Sequence, residues 1–180
     1  SGADLGIYSF PKSGESDDTL STLTYEALMP IKELPAVEEI KKTFDNAKKF
    51  LEETRRRTEV LDEIKKAAFP AKRATIHKRL SEIFGTGGTK PVPIQIIRLG
   101  NTALVSIPVE PFAEIGYQVK NSSPADWTLF SGYSNGYYGY MPMKENYPEG
   151  GYEVDTTPFS PGAAEIMVKE CLRALNTVWV

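Results

Sequence analysis

Apolar and polar positions follow two different rhythms along this chain. From Pro35 to Phe69 the segment is dense in Glu, Lys and Arg, and Val37, Ile40, Phe44, Ala47 and Leu51 recur at steps of three and four. That spacing lays one apolar stripe along a helix. The phase is lost around "TRRRT" and resumes at Leu61, Ile64 and Ala68 before Pro70, which predicts a broken helix or two helices. A further helix carries Ile76, Leu80, Ile83 and Phe84 on one face, and the glycines of "GTGG" stop it. "FGTGGTK" lacks the Walker spacing before Lys90, so it reads as a helix stop and linker rather than a phosphate loop.

Beyond residue 90 the pattern becomes strand-like. "PVPIQIIRLGNTALVSIPVE" is two β-rich runs hinged on Gly100-Asn101, a pair suited to a two-residue turn between antiparallel strands. Pro111 then falls where the first turn of a helix tolerates it, with Phe112, Ile115, Gly116 and Val119 at helical spacing. Glu110 is thereby placed at a strand-to-helix junction. "WTLFSGYSNG" reads as a strand running into a tyrosine-rich loop, residues 141 to 161 as a long irregular stretch, and Ala164, Met167, Val168, Cys171, Leu172 and Leu175 as one face of a closing helix. The predicted class is α/β, a mixed sheet flanked by helices, with an N-terminal charged helical segment. The expected organisation is an extended segment over 1–34, a charged helical arm over 35–84 and an α/β half-domain over 90–180.

Composition narrows the function classes. A chain of 180 residues with 41% hydrophobic content can bury a core of its own. The net charge of −3 provides no basic field, which argues against nucleic acid as a partner. Cys171 is the single cysteine, so neither an internal disulfide nor a thiolate zinc cluster can form, and its place on an apolar helix face reads as core. His77, the single histidine, lies among charged residues on a helix and reads as a surface group. The arginines at 55 to 57 read as a solvated face. No apolar run reaches the length of a membrane span, and no serine sits in a glycine elbow. The opening "SGADLGIYSF" has no methionine, and the expectation is a chain that begins partway through a larger protein.

The chemistry concentrates in "SNGYYGYMP", residues 134 to 142, with three tyrosines and two glycines in nine positions. A buried phenol oxygen must find a partner, so packing alone favours aliphatic residues there. In open α/β sheets ligands collect beyond the carboxyl ends of strands, where both Glu110 and this loop are predicted to lie. Parallel neighbouring strands would bring the carboxylate and the phenols to one edge. Taken singly, Glu110 also reads as a solvated acid near a helix start, and the loop as an aromatic turn capping the core.

In order and spacing, Pro108-Val109-Glu110, the run from Asn135 to Tyr140, Glu145-Asn146-Tyr147 and Tyr152-Glu153 resemble the C-terminal half of the catalytic domain of the neutral/alkaline, non-lysosomal ceramidases. That family carries Pro-Gly-Glu at a strand end, an Asn-x-Tyr-x-x-Tyr loop, then Glu-x-Tyr and Tyr-Glu, and Gly116 falls where it has a helix glycine. The resemblance spans about residues 92 to 175 and implies a zinc-dependent amide hydrolase. It implies Glu110 and Tyr140 as metal ligands, Tyr137 and Tyr152 as substrate-binding or supporting groups, and no catalytic residue among those present. Zinc is the implied cofactor of the intact protein, and the implied partners are the missing N-terminal half of the catalytic domain and a small-molecule or lipid amide. A secreted, periplasmic or membrane-associated setting is implied as well. Val109 stands where the family has glycine, and Tyr117-Gln118 replaces an arginine pair. The family's two histidine ligands and its serine come from an earlier part of the chain, so this chain alone is expected to be inactive. The alternative is a non-catalytic ligand-binding or interaction module that uses the tyrosine-rich loop.

Overall fold

The structure is a computed structural model and describes residues 17–179. A four-stranded sheet, in the order β1-β2-β3-β4, is built from β1 (Leu20–Pro30), β2 (Thr89–Leu99), β3 (Thr102–Ser106) and β4 (Trp127–Ser131). The first three strands are antiparallel, whereas β3 and β4 run parallel, which makes the sheet mixed. The Gly100-Asn101 turn joins β2 to β3 as the sequence predicts, with Leu99 opposite Thr102 and Gly100 at φ +56°. β1 comes from the segment expected to be extended, and it pairs with β2 along its whole length.

The inner face of the sheet carries Met29, Val92, Ile94, Ile96 and Val105, all fully buried. Against it packs α1 (Ala163–Val178), whose Ala164, Met167, Cys171 and Leu175 are equally enclosed, and α2 (Ala113–Asn121) adds Ile115 and Val119. α2 is also the crossover between the parallel strands β3 and β4. Strand alternation turns Leu20, Leu99, Trp127 and Leu129 to the opposite face, where they are 69%, 58%, 74% and 61% exposed.

The charged arm is a pair of helices, α3 (Val37–Arg57) and α4 (Leu61–Phe84), broken at the place where the apolar phase is lost. Lys78 lies over the Phe44 ring, so the start of α3 meets the end of α4 and the two run antiparallel. Their seam uses Ile40 on α3 with Ala67, Ala71 and Ala74 on α4, small residues that allow a close approach. A break at Pro70 does not occur. α4 passes through it without interruption, at the loss of one backbone donor on an exposed stretch that its buried neighbours hold in place. The last turn of α4 belongs to the main core: Leu80 and Phe84 are buried there, and Phe84 meets Tyr138 and Phe159 edge-on at 5.6 and 6.3 Å. Glycines 85, 87 and 88, all at positive φ, then turn the chain into β2.

His77 is not a plain surface residue. It is half-buried, and its Nε2 lies 3.0 Å from the Asp155 carbonyl oxygen. The stretch expected to be irregular over 141–161 holds a 3-10 helix (Lys144–Glu149) and a short helix α5 (Tyr152–Thr156). α5 is tied to the rest by Lys32, which donates to the Val154 carbonyl at 2.7 Å, and by the Arg73–Asp155 ion pair at 3.1 Å. Among the described residues no helix is long and apolar enough to cross a membrane.

Candidate functional site

Four residues beyond the end of β3 a second, two-stranded sheet begins: β5 (Glu110–Pro111) pairs in parallel with β6 (Tyr140–Met141). Pro111 therefore sits in a strand rather than in the first turn of α2, which starts at Ala113. In this ladder Glu110 is the register partner of Tyr140, and Pro111 of Met141. The Glu110 amide donates to the Gly139 carbonyl at 2.9 Å and the Phe112 amide to the Met141 carbonyl at 3.2 Å. Register partners in a parallel pair direct their side chains to the same face, so the carboxylate and the phenol share a side.

The intervening loop is zipped to the segment before Glu110 by its backbone. The amides of Tyr133, Ser134 and Tyr138 donate to the carbonyls of Val109, Ile107 and Pro108 at 2.9, 3.0 and 2.7 Å. Gly132 makes this approach possible, because a Cβ there would lie 2.5 Å from Pro111 Cδ and 3.0 Å from the Val109 oxygen. The left-handed backbone is carried by Gly136 and Gly139 and also by two non-glycine residues, Asn135 at φ +62° and Tyr133 at φ +55°. Asparagine tolerates that region; a tyrosine there is strained and needs its surroundings to hold it. Stacking supplies part of the hold, since the Tyr133 and Tyr137 rings lie 5.4 Å apart and 4° from parallel. Asn135 adds a bond to the Gln95 side chain on β2 at 3.0 Å.

Glu110 is half-buried at the centre of this cluster. Tyr137 donates its hydroxyl to Glu110 Oε2 at 3.2 Å. Desolvation and then the Glu110 charge push the Tyr137 phenol up to about 12. Hydrogen bonding to Glu110, followed by desolvation, raises Tyr133, and desolvation followed by the Glu110 charge raises Tyr140. Three phenols are thus kept protonated around one carboxylate, with their donors available to it. The Tyr140 ring meets Tyr152 edge-on at 6.0 Å, and Tyr152 in turn lies beneath the Lys72 ammonium at 4.7 Å.

The four residues expected from the sequence therefore gather in one place. Glu110, Tyr137 and Tyr140 form a single cluster, and Tyr152 borders it through Tyr140. Tyr137, Tyr140 and Tyr152 also line a cleft of about 170 Å³, closed on the other side by Ile76, Leu80 and Ile83 of α4. Two contributors were not legible. Tyr133 precedes the tyrosine-rich motif, and its sequence signal is its position directly after a glycine at a strand end. The α4 wall comes from a segment with no recognisable site motif.

The side chains that could hold a divalent metal are Glu110 and the neighbouring phenols, all hard oxygen donors. Among the described residues no three His, Cys, Asp or Glu side chains cluster as a metal site, and His77 is engaged with α5.

No protein-family model matches the chain, and no curated protein matches it. Two solved structures are similar to it over part of its length. The crystal structure of neutral ceramidase from Pseudomonas aeruginosa is 22% identical over 48% of this chain, with a TM-score of 0.45. A structure described as ceramidase complexed with C2 is 22% identical over the same 48% share, with a TM-score of 0.46. The matched region spans 15% of the length of each of those chains.

Proposed function

We propose that this chain is the C-terminal part of a zinc-dependent amide hydrolase of the neutral ceramidase type, to which it contributes Glu110 and Tyr140 as two metal ligands. The observation that carries the reading is the Glu110–Tyr140 register pair, which puts a carboxylate and a phenol on one face of a short ladder. The donor set fits half of a zinc shell: two oxygens on rigid backbone, with imidazole ligands to come from the absent part of the protein. When bound, zinc activates water and polarises the amide carbonyl.

The tasks of this chain's own residues follow from the geometry. Glu110 and Tyr140 fix one side of the metal position, and the β5–β6 backbone bonds keep them in place. Tyr137 holds the Glu110 carboxylate by its hydrogen bond, and its ring stacks on that of Tyr133. Tyr152 packs edge-on against the Tyr140 ring, which restricts that ring's rotation, and both line the cleft beside it. Two oxygens are too few for tight zinc binding, so the separate chain is inactive in this reading. The exposed apolar face of the four-stranded sheet suits a chain completed by a further layer, here the missing N-terminal half of the catalytic domain.

A second reading is favoured by a different observation. Tyr133 and Tyr137 are stacked and 57% and 53% exposed, an aromatic platform of the kind that binds flat or apolar ligand surfaces without catalysis. Zinc content and hydrolysis separate the two. In full-length protein purified without chelators, the hydrolase reading expects zinc and cleavage of N-acyl substrates, both lost in Glu110→Ala. Protein without zinc, or hydrolysis that survives Glu110→Ala, would leave the platform reading.

A further inference from the structure

The charged arm has no part in the metal chemistry, yet its second helix supplies a complete wall of the cleft. Ile76, Leu80 and Ile83 recur at steps of four and three on α4 and face the loop tyrosines across about 170 Å³. Leu80 and Phe84 anchor that wall in the core, whereas Ile83 is 52% exposed and remains open to a ligand.

The rim of the same cleft has an uncompensated charge. Arg79 lines it, is exposed, and makes no ion pair with any Asp or Glu among the described residues. The neighbouring cations are engaged: Arg73 pairs with Asp155, Lys78 with Glu82, and Lys72 covers the Tyr152 ring. A free guanidinium beside an apolar wall and a row of phenols recognises a ligand with a carboxylate at one end and a hydrocarbon at the other.

We propose that the cleft between α4 and the tyrosine loop binds the substrate, and that this substrate is an anionic N-acyl compound, such as an N-acylated amino acid, with its acyl chain against Ile76, Leu80 and Ile83 and its carboxylate on Arg79. The inference rests on the hydrolase reading for the word substrate, while the binding site itself stands on the cleft and Arg79. The arm is then the specificity element of the site.

Binding to the 180-residue chain, measured without metal by calorimetry and by amide chemical shifts, tests the inference. The probes are N-hexanoylglycine and its neutral counterpart N-hexanoylglycinamide. The expected result is about tenfold tighter binding of the carboxylate, the size of one charge-assisted contact, with shifts at residues of α4 and the loop. Arg79→Gln brings the two probes to within about twofold of each other, and Ile83→Asn weakens both by about fivefold, as expected for loss of a partly buried apolar contact. Both positions are exposed, so neither variant endangers folding. Equal affinity of the two probes, a preference that survives Arg79→Gln, or the absence of binding overturns the proposal. These outcomes are distinct from failure of the hydrolase reading, which is decided by zinc content and by the Glu110 dependence of hydrolysis in the full-length protein.

Discussion

Glu110 and Tyr140, thirty residues apart in sequence, are direct partners in a parallel two-residue ladder. Neither strand would persist alone, since two residues cannot form a stable pair in water. The ladder is held because the loop between the partners is bonded back onto residues 107 to 110 and because Met141 is fully buried. Site geometry and loop geometry are therefore one problem.

Gly132 is the tightest point of that arrangement. Gly132→Ala places a methyl group 2.5 Å from Pro111 Cδ and against the Val109 carbonyl, so β4 and β5 must separate. The expected cost is about 1–3 kcal/mol, as for other overpacked sites. Urea denaturation followed by tryptophan fluorescence checks it, and an unchanged midpoint would mean that the loop is not held as described.

The phenol cluster gives an alkaline signature. The Tyr137 value lies above the ordinary 10.0, so its contribution to stability is complete below pH 10 and is lost as pH rises through about 12. Glu110→Gln removes the negative charge that raises Tyr133, Tyr137 and Tyr140. Tyrosinate absorbance should then develop at lower pH than in the parent chain, though not fully at the ordinary position, because desolvation remains the leading cause at Tyr137 and Tyr140. Superimposable titration curves would separate the carboxylate from the phenols.

Phe84 links the charged arm to the loop. It is 5% exposed and touches the rings of Tyr138 and Phe159. Phe84→Ala is expected to destabilise the chain by about 3–5 kcal/mol and to weaken ligand binding in the cleft, while Phe50→Ala, at an exposed site on α3, leaves both nearly unchanged. Thermal denaturation of the two variants makes the comparison.

Cys171 is enclosed on α1, and burial, followed by the Glu170 charge, pushes its thiol up to about 12. The thiolate is the reactive form, so the native chain should resist iodoacetamide at neutral pH and react readily in urea. Rapid labelling of the native chain would place this residue outside the core.

The helices and the hairpin were legible because each has a local cause. The stripe on α3, the glycines after Phe84 and the Gly100-Asn101 turn are short-range signals with one structural solution. The continuity of α4 through Pro70 was not legible, because burial of Ala67, Ala71 and Ala74 against α3 outweighs a local propensity. For the site, Glu110 and the loop were marked by residue type and by position at strand ends. Tyr133 and the α4 wall were not, since their roles depend on which distant surfaces meet: Tyr133 on the carbonyl of Val109, and Ile83 on the far side of a cleft that has no sequence pattern.

The most direct measurement is zinc stoichiometry in the full-length protein, by mass spectrometry of metal content, for the parent, Glu110→Ala and Tyr140→Phe. The account predicts one zinc per chain in the parent, loss in Glu110→Ala and marked loss in Tyr140→Phe, with folding intact by circular dichroism. A parent protein free of zinc, or zinc retained in full by both variants, would contradict it.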